Sequence, residues 1–263
     1  MKRAGVMFCL LAGALPLFAQ SPAESRRRAV EQVADAVRQS IRDWDFSAMT
    51  GAVTRAQALV ASDDDERFHR ALWTGTAAFH AVLYLRSSQD ETEAARIEME
   101  KTAIEALNRA LSLEPDSSDC HAMLGVLYGM EISRSPLRAL SLGTRLRRHR
   151  VAAMRAVETN PRVSYLEGIT MLNRANGDKE VEQAVDLLVR AESLFARQAG
   201  EGAASDAAGW GREHTLLFLG EATEQLGRYK EALTWFRAAE RLDPRLERAG
   251  KGIERCQKRQ QDR

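Results

Sequence analysis

Apolar residues recur along this chain at the three- and four-residue steps of a helix face. Phe46, Met49, Val53 and Ala56 form one such stripe. Others are Ala103, Leu107 and Ala110, then Ala184, Leu188 and Ala191, then Ala232, Phe236 and Ala239. A period near 3.6 predicts amphipathic helices with one buried side. After residue 20 no run alternates with the two-residue period and β-branched richness of a strand, and the long segments are filled by Ala, Leu, Glu and Arg. The expected fold class is all-α.

Stop signals divide the helical pattern into units. Asp243-Pro244 ends a helix, because proline disfavours helical geometry in the residue before it and withholds an N–H donor. Leu113-Glu114-Pro115-Asp116 parallels Leu242-Asp243-Pro244-Arg245, and Asn160-Pro161 reads as a third junction. The acidic run Asp63-Asp64-Asp65-Glu66 is expected at a helix start, with Ser62 or Asp63 as cap and negative charge where the helix dipole favours it. Residues 26–41 are expected as a first helix.

The clearest unit carries Leu216, Leu219-Gly220, Gly227-Arg228-Tyr229, Ala232, Phe236, Ala239 and Pro244. Gly220 and Ala232 are small where two helices cross, and Tyr229 and Phe236 fill the space around the turn. These spacings resemble the tetratricopeptide repeat (TPR), with Leu216 in the family's Trp position and Thr223 in its second aromatic position. Leu124-Gly125-Val126-Leu127-Tyr128 repeats part of the pattern, as do Tyr165, Leu166, Gly168 and Leu172. The resemblance implies a right-handed superhelical solenoid of about five TPR-like hairpins. It spans 20–263 as one domain, with its clearest repeat at 213–246 and a capping helix at 247–260. Gly75 is a further candidate crossing glycine. Irregular spacing marks insertions at 86–101, read as a lengthened helix, at 129–150, and at 198–211, where Gly, Ala and Ser suggest a loop. Insertions in repeats collect on one face, often the binding face.

In the family that the pattern resembles, the first helix of each hairpin lines a concave face that holds an extended peptide or a partner helix. By register that face takes His214, Leu217, Glu221 and Gln225, then Asp119, Ala122 and Val126, then Tyr165, Ile169, Leu172 and Asn173, then His69, Thr76, Phe79 and His80. Tyr165 and Asn173 suit a groove, since both bond to a peptide backbone while lying against it. Arg145, Arg147 and Arg148 form the main charged feature, suited to an acidic partner or anionic head groups. The function implied is a scaffold or adaptor that binds a protein or peptide. The alternative is an accessory ligand-binding component of an envelope transport system.

Met1-Lys2-Arg3, the apolar stretch 4–18 and Ala19 read as a secretory signal cleaved after Ala19, which predicts a periplasmic protein with partners in the cell envelope. The stretch is shorter than the roughly 20 residues of a spanning helix, and no later segment is apolar enough to cross a bilayer. Loss of residues 1–19 removes two positive charges and no negative one, taking the formal net charge from +1 to −1. Nucleic acid, which needs clustered Lys and Arg, is not expected as a partner. Cys120 and Cys256 are expected as free thiols on separate repeats. The five histidines are scattered, without a zinc or nucleophile motif, so neither metal, cofactor nor catalysis is expected.

Overall fold

The structure, a computed structural model, describes residues 21–87, 92–200 and 209–262, and all regular structure among them is helical. The segment read as a signal, 1–19, lies outside the described residues, as do parts of two insertions.

The chain begins with α1 (Pro22–Asp43) and α2 (Phe46–Ala58), followed by α3 (Asp64–Ser87) and α4 (Glu93–Leu113). A third pair is α5 (Ser118–Arg134) and α6 (Ala139–Met154), joined through a short 3-10 turn, Pro136–Arg138. Then come α7 (Pro161–Leu172) and α8 (Asp178–Gly200), α9 (Arg212–Gln225) and α10 (Tyr229–Leu242), and finally α11 (Glu247–Gln261).

Local chemistry sets these boundaries. Ser21 and Glu24 form a reciprocal capping box at the start of α1. Asp63 caps α3 by accepting the Glu66 N–H at 2.8 Å, while Glu66 reaches back to the N–H and hydroxyl of Ser62. Those bonds hold the Glu66 carboxyl down to about 2. Gly227 closes α9 in the left-handed region, φ 71°, and the Arg228 N–H returns to the Thr223 carbonyl.

Members of each pair pack on each other: α1 on α2, α3 on α4, α5 on α6, α7 on α8, α9 on α10, with α11 on α10. Between pairs, the odd-numbered helices touch in unbroken succession, α1 to α3 to α5 to α7 to α9 to α11. The even-numbered helices make no comparable contact with one another.

A common crossing recurs in three pairs. A β-carbon built at Gly75 would lie 2.7 Å from Leu107, at Gly168 2.9 Å from Leu188, and at Gly220 2.5 Å from Phe236. In each pair a glycine admits the large residue four places after the alanine that begins the second-helix stripe (Ala103, Ala184, Ala232), and those alanines are themselves fully buried. The α5–α6 pair departs from this rule, for Gly125 meets only the Arg150 backbone at 3.9 Å.

Several expectations need correcting. Pro161 does not follow a helix in the way of Pro244; it opens α7, where its missing N–H costs nothing, and Asn160 is the cap. Of the insertion at 86–101, the described residues lengthen two helices: Arg86 and Ser87 end α3, and 93–101 open α4. The insertion at 129–150 is largely helical, completing α5 and building α6, and α8 runs on to Gly200, the last described residue before 209. Cys120 and Cys256 are both buried and unpaired.

Candidate partner-binding wall

The odd-numbered helices bring a set of rings together on one wall. Trp44, in the left-handed region at the end of α1, lies 5.3 Å from the His214 ring of α9 and 6.0 Å from Tyr84 of α3. Trp210, just before α9, sits 4.6 Å from His80 of α3 and 6.4 Å from Tyr165 of α7, with the Arg162 guanidinium 6.0 Å from its ring. Tyr165 is 6.3 Å from Phe218, which Arg248 of the last helix covers at 5.3 Å. Gly211 permits this approach: it holds φ 104°, and a β-carbon there would meet Phe195 at 3.3 Å. The wall is thus occupied by the chain's own Trp210.

Buried polar groups lie behind these rings. His80 donates from Nδ1 to the Thr76 carbonyl at 2.9 Å, and its pKa is driven down to about 4, chiefly by burial, with His214 adding to the effect against the Thr76 carbonyl and Glu213. Glu213 is buried, with one oxygen 3.4 Å from His214 Nδ1 and without a hydrogen bond. Burial raises its pKa, but His214 and the nearby backbone N–H groups outweigh that and leave it below the usual value.

The residues expected as contacts divide into three groups. Tyr165, Ile169, Leu217 and His214 are buried, and Leu217 has no exposed surface at all. Thr76, Phe79, His80 and Ala122 are buried too. Each first helix is covered by its own partner and by the next pair, so helical spacing of apolar residues there signals packing rather than a free surface. Asp119 is a brace: it accepts from Asn160 Nδ2 at 2.6 Å and Arg162 Nε at 2.9 Å, tying α5 to the start of α7. Glu221 is paired with Arg248 at 2.7 Å, while Gln225 and Asn173 are exposed. Arg145, Arg147 and Arg148 are exposed on α6, whose packing neighbour is α5, and belong to a separate surface.

Sequence reasoning missed Trp44, Tyr84, Trp210, Phe218, Arg162 and Arg248. Trp210 had a legible signal, a lone large ring beside glycine in a small-residue segment. The histidines looked scattered, yet His121 and His149 face each other at 2.8 Å. Among the described residues no group of three or more His, Cys, Asp or Glu is placed to hold a metal ion, and no helix is long and apolar enough to cross a membrane. Two surface grooves, of about 330 Å³ between α2 and α4 and about 580 Å³ between α1 and α2, both lie away from the Trp210 cluster.

Comparison with known proteins agrees with the C-terminal geometry. A search of curated proteins finds no match to the chain. A family model described as tetratricopeptide repeat matches residues 214–246, which span α9, α10 and the turn after them. The chain therefore contains a tetratricopeptide repeat, a module that generally mediates protein–protein interaction.

Proposed function

We propose that this chain is an exported, non-catalytic scaffold that binds a protein or peptide partner in the cell envelope, using the face formed by its odd-numbered helices. The reading rests on one observation. Odd-numbered helices touch in succession while no comparable contact joins the even-numbered ones, as in a curved stack of about five hairpins with the odd helices on its inner side. Export is supported by Lys2-Arg3 and the apolar stretch that follows. The buried wall supplies rigidity, and its exposed members, Gln225 and Asn173 with the Glu221–Arg248 pair, supply the contact.

Photo-crosslinking in cells tests this reading. A crosslinking side chain at Gln225 or Asn173 is expected to trap one defined partner, and one at Lys101, exposed on α4, is expected to trap none. Equal capture at all three positions, or none at the first two, would overturn it.

A further inference from the structure

Residues 132–157 contain seven arginines and no Asp or Glu. The structure sorts this segment into two faces. Leu142, Leu146, His149 and Ala153 turn inward against the core. Outward lie Leu137 of the 3-10 turn and then, at helical spacing, Leu140, Thr144, Arg147, Arg148, Val151 and Arg155, with Arg145 at the edge of this face, all exposed. Leu137 and Leu140 are 80% and 89% exposed, and with Val151 they make three of the seven exposed large apolar residues among those described. Nearby carboxylates are already engaged: Glu131 pairs with Arg138 and Glu167 with Arg150. Arg145, Arg147 and Arg148 have no carboxylate partner among the described residues, and Arg148 reaches only the His149 ring, at 3.4 Å.

We propose that this face of α6 docks on an anionic phospholipid surface, with Leu137 and Leu140 entering the head-group layer and Arg145, Arg147 and Arg148 meeting lipid phosphates. Its shape favours a bilayer over an acidic protein. Leu137 and Leu140 protrude at the start of a helix that packs mainly on α5, and neither surface groove lies beside them. A protruding apolar tip beside unneutralised cations matches the interfacial arrangement, in which buried apolar area and attraction to anionic lipid add. This surface is separate from the partner-binding wall, so the two proposals stand or fall independently.

Vesicle flotation with the full chain tests the proposal. Because the apolar stretch 4–18 can itself enter lipid, the readout is the difference between equimolar phosphatidylglycerol/phosphatidylcholine vesicles and phosphatidylcholine alone. The natural protein is expected to bind the anionic vesicles at least about tenfold more tightly, an advantage lost in high salt. The triple variant Arg145→Glu, Arg147→Glu, Arg148→Glu is expected to abolish that advantage and leave phosphatidylcholine binding unchanged. Leu137→Ser with Leu140→Ser is expected to weaken anionic binding several-fold without changing the helical circular dichroism. No preference for anionic vesicles, or a preference that survives both variants, would overturn the proposal. So would binding of a poly-glutamate peptide that the triple variant abolishes, together with no vesicle preference, since α6 would then be a site for acidic protein.

Discussion

His121 and His149 meet Nδ1 to Nδ1 at 2.8 Å, joining α5 to α6 where three other pairs use a glycine and a large apolar residue. The Pro115 carbonyl, which can only accept, lies 2.9 Å from His121 Nε2 and so assigns that nitrogen its proton. His121 Nδ1 must then accept, and His149 Nδ1–H donates to it. The remaining nitrogen, His149 Nε2, accepts from Arg148. Only a neutral pair satisfies every contact.

Acid should therefore weaken the fold. Burial drives His149 down to about 4, and His121, Arg148 and Arg145 act in the same direction. An unfolded chain takes up this proton near its ordinary value of 6.5. Between those values the unfolded state binds more protons, so stability is complete above about pH 6.5 and declines toward pH 4. The loss from His149 is roughly 2–3 kcal/mol by pH 4, and buried His80 adds a loss of the same sign. Urea unfolding at pH 7.5, 6 and 5 measures this, and a midpoint that does not move across that range would refute the neutral clasp. His149→Gln should flatten the slope.

Phe236 is enclosed by two glycines, Gly220 of α9 and Gly252 of α11, whose added β-carbons would lie 2.5 and 2.6 Å from its ring. Alanine at either position gains helix propensity but forces the ring into a filled core, and we expect a net loss of about 1–3 kcal/mol. Gly51 is the control: it is exposed inside α2 with nothing within 4 Å of an added β-carbon. Gly51→Ala should stabilise by about 0.5–1 kcal/mol. Thermal melts of the three variants read both signs.

These glycines also show how much of the molecule was legible. The 3.6-residue period located most of the helices and marked Gly220 and Gly75 as crossing glycines, but that Gly75, Gly168 and Gly220 meet Leu107, Leu188 and Phe236 is seen only in the structure. The accessible part of the wall was not legible. Tyr165 and Leu217 have the spacing of either a groove or a core, and only the stacking of neighbouring pairs decides between them. The contacts of Trp44 and Arg245 were beyond reach for another reason. Asp43, next to Trp44, pairs with Arg245 across most of the chain, a relationship set by the path of the helices rather than by any local pattern.

Glu100 of α4 is buried between Arg96, one turn earlier on the same helix, at 3.0 Å, and Arg134 at the end of α5, at 2.7 Å. Removing the carboxylate takes the 3.0 Å partner from the buried Arg96, which keeps Glu93 at 3.5 Å, and also releases Arg134. Glu100→Ala should cost about 2–3 kcal/mol. Arg67→Ala, which breaks an exposed pair with Asp64, should cost less than about 1 kcal/mol. Denaturant titration of both variants separates the two cases, and similar small losses would mean that the other partners of Arg96 suffice without Glu100.

Trp210 fills the wall between His80, Tyr165 and Arg162, so its removal tests whether that filling holds the odd-numbered helices together. Trp210→Ala deletes a buried ring from a site lined by two other rings and is expected to cost about 3–5 kcal/mol. It should also raise binding of an apolar dye. Trp210→Phe keeps most of the volume but cannot cover the same area beneath Arg162, so an intermediate loss is expected. If Trp210→Ala instead leaves the unfolding midpoint within about 0.5 kcal/mol of the natural protein, a range typical of surface positions, the ring is an ornament on an already rigid wall. Partner capture at Gln225 and Asn173 would then depend on the helices alone.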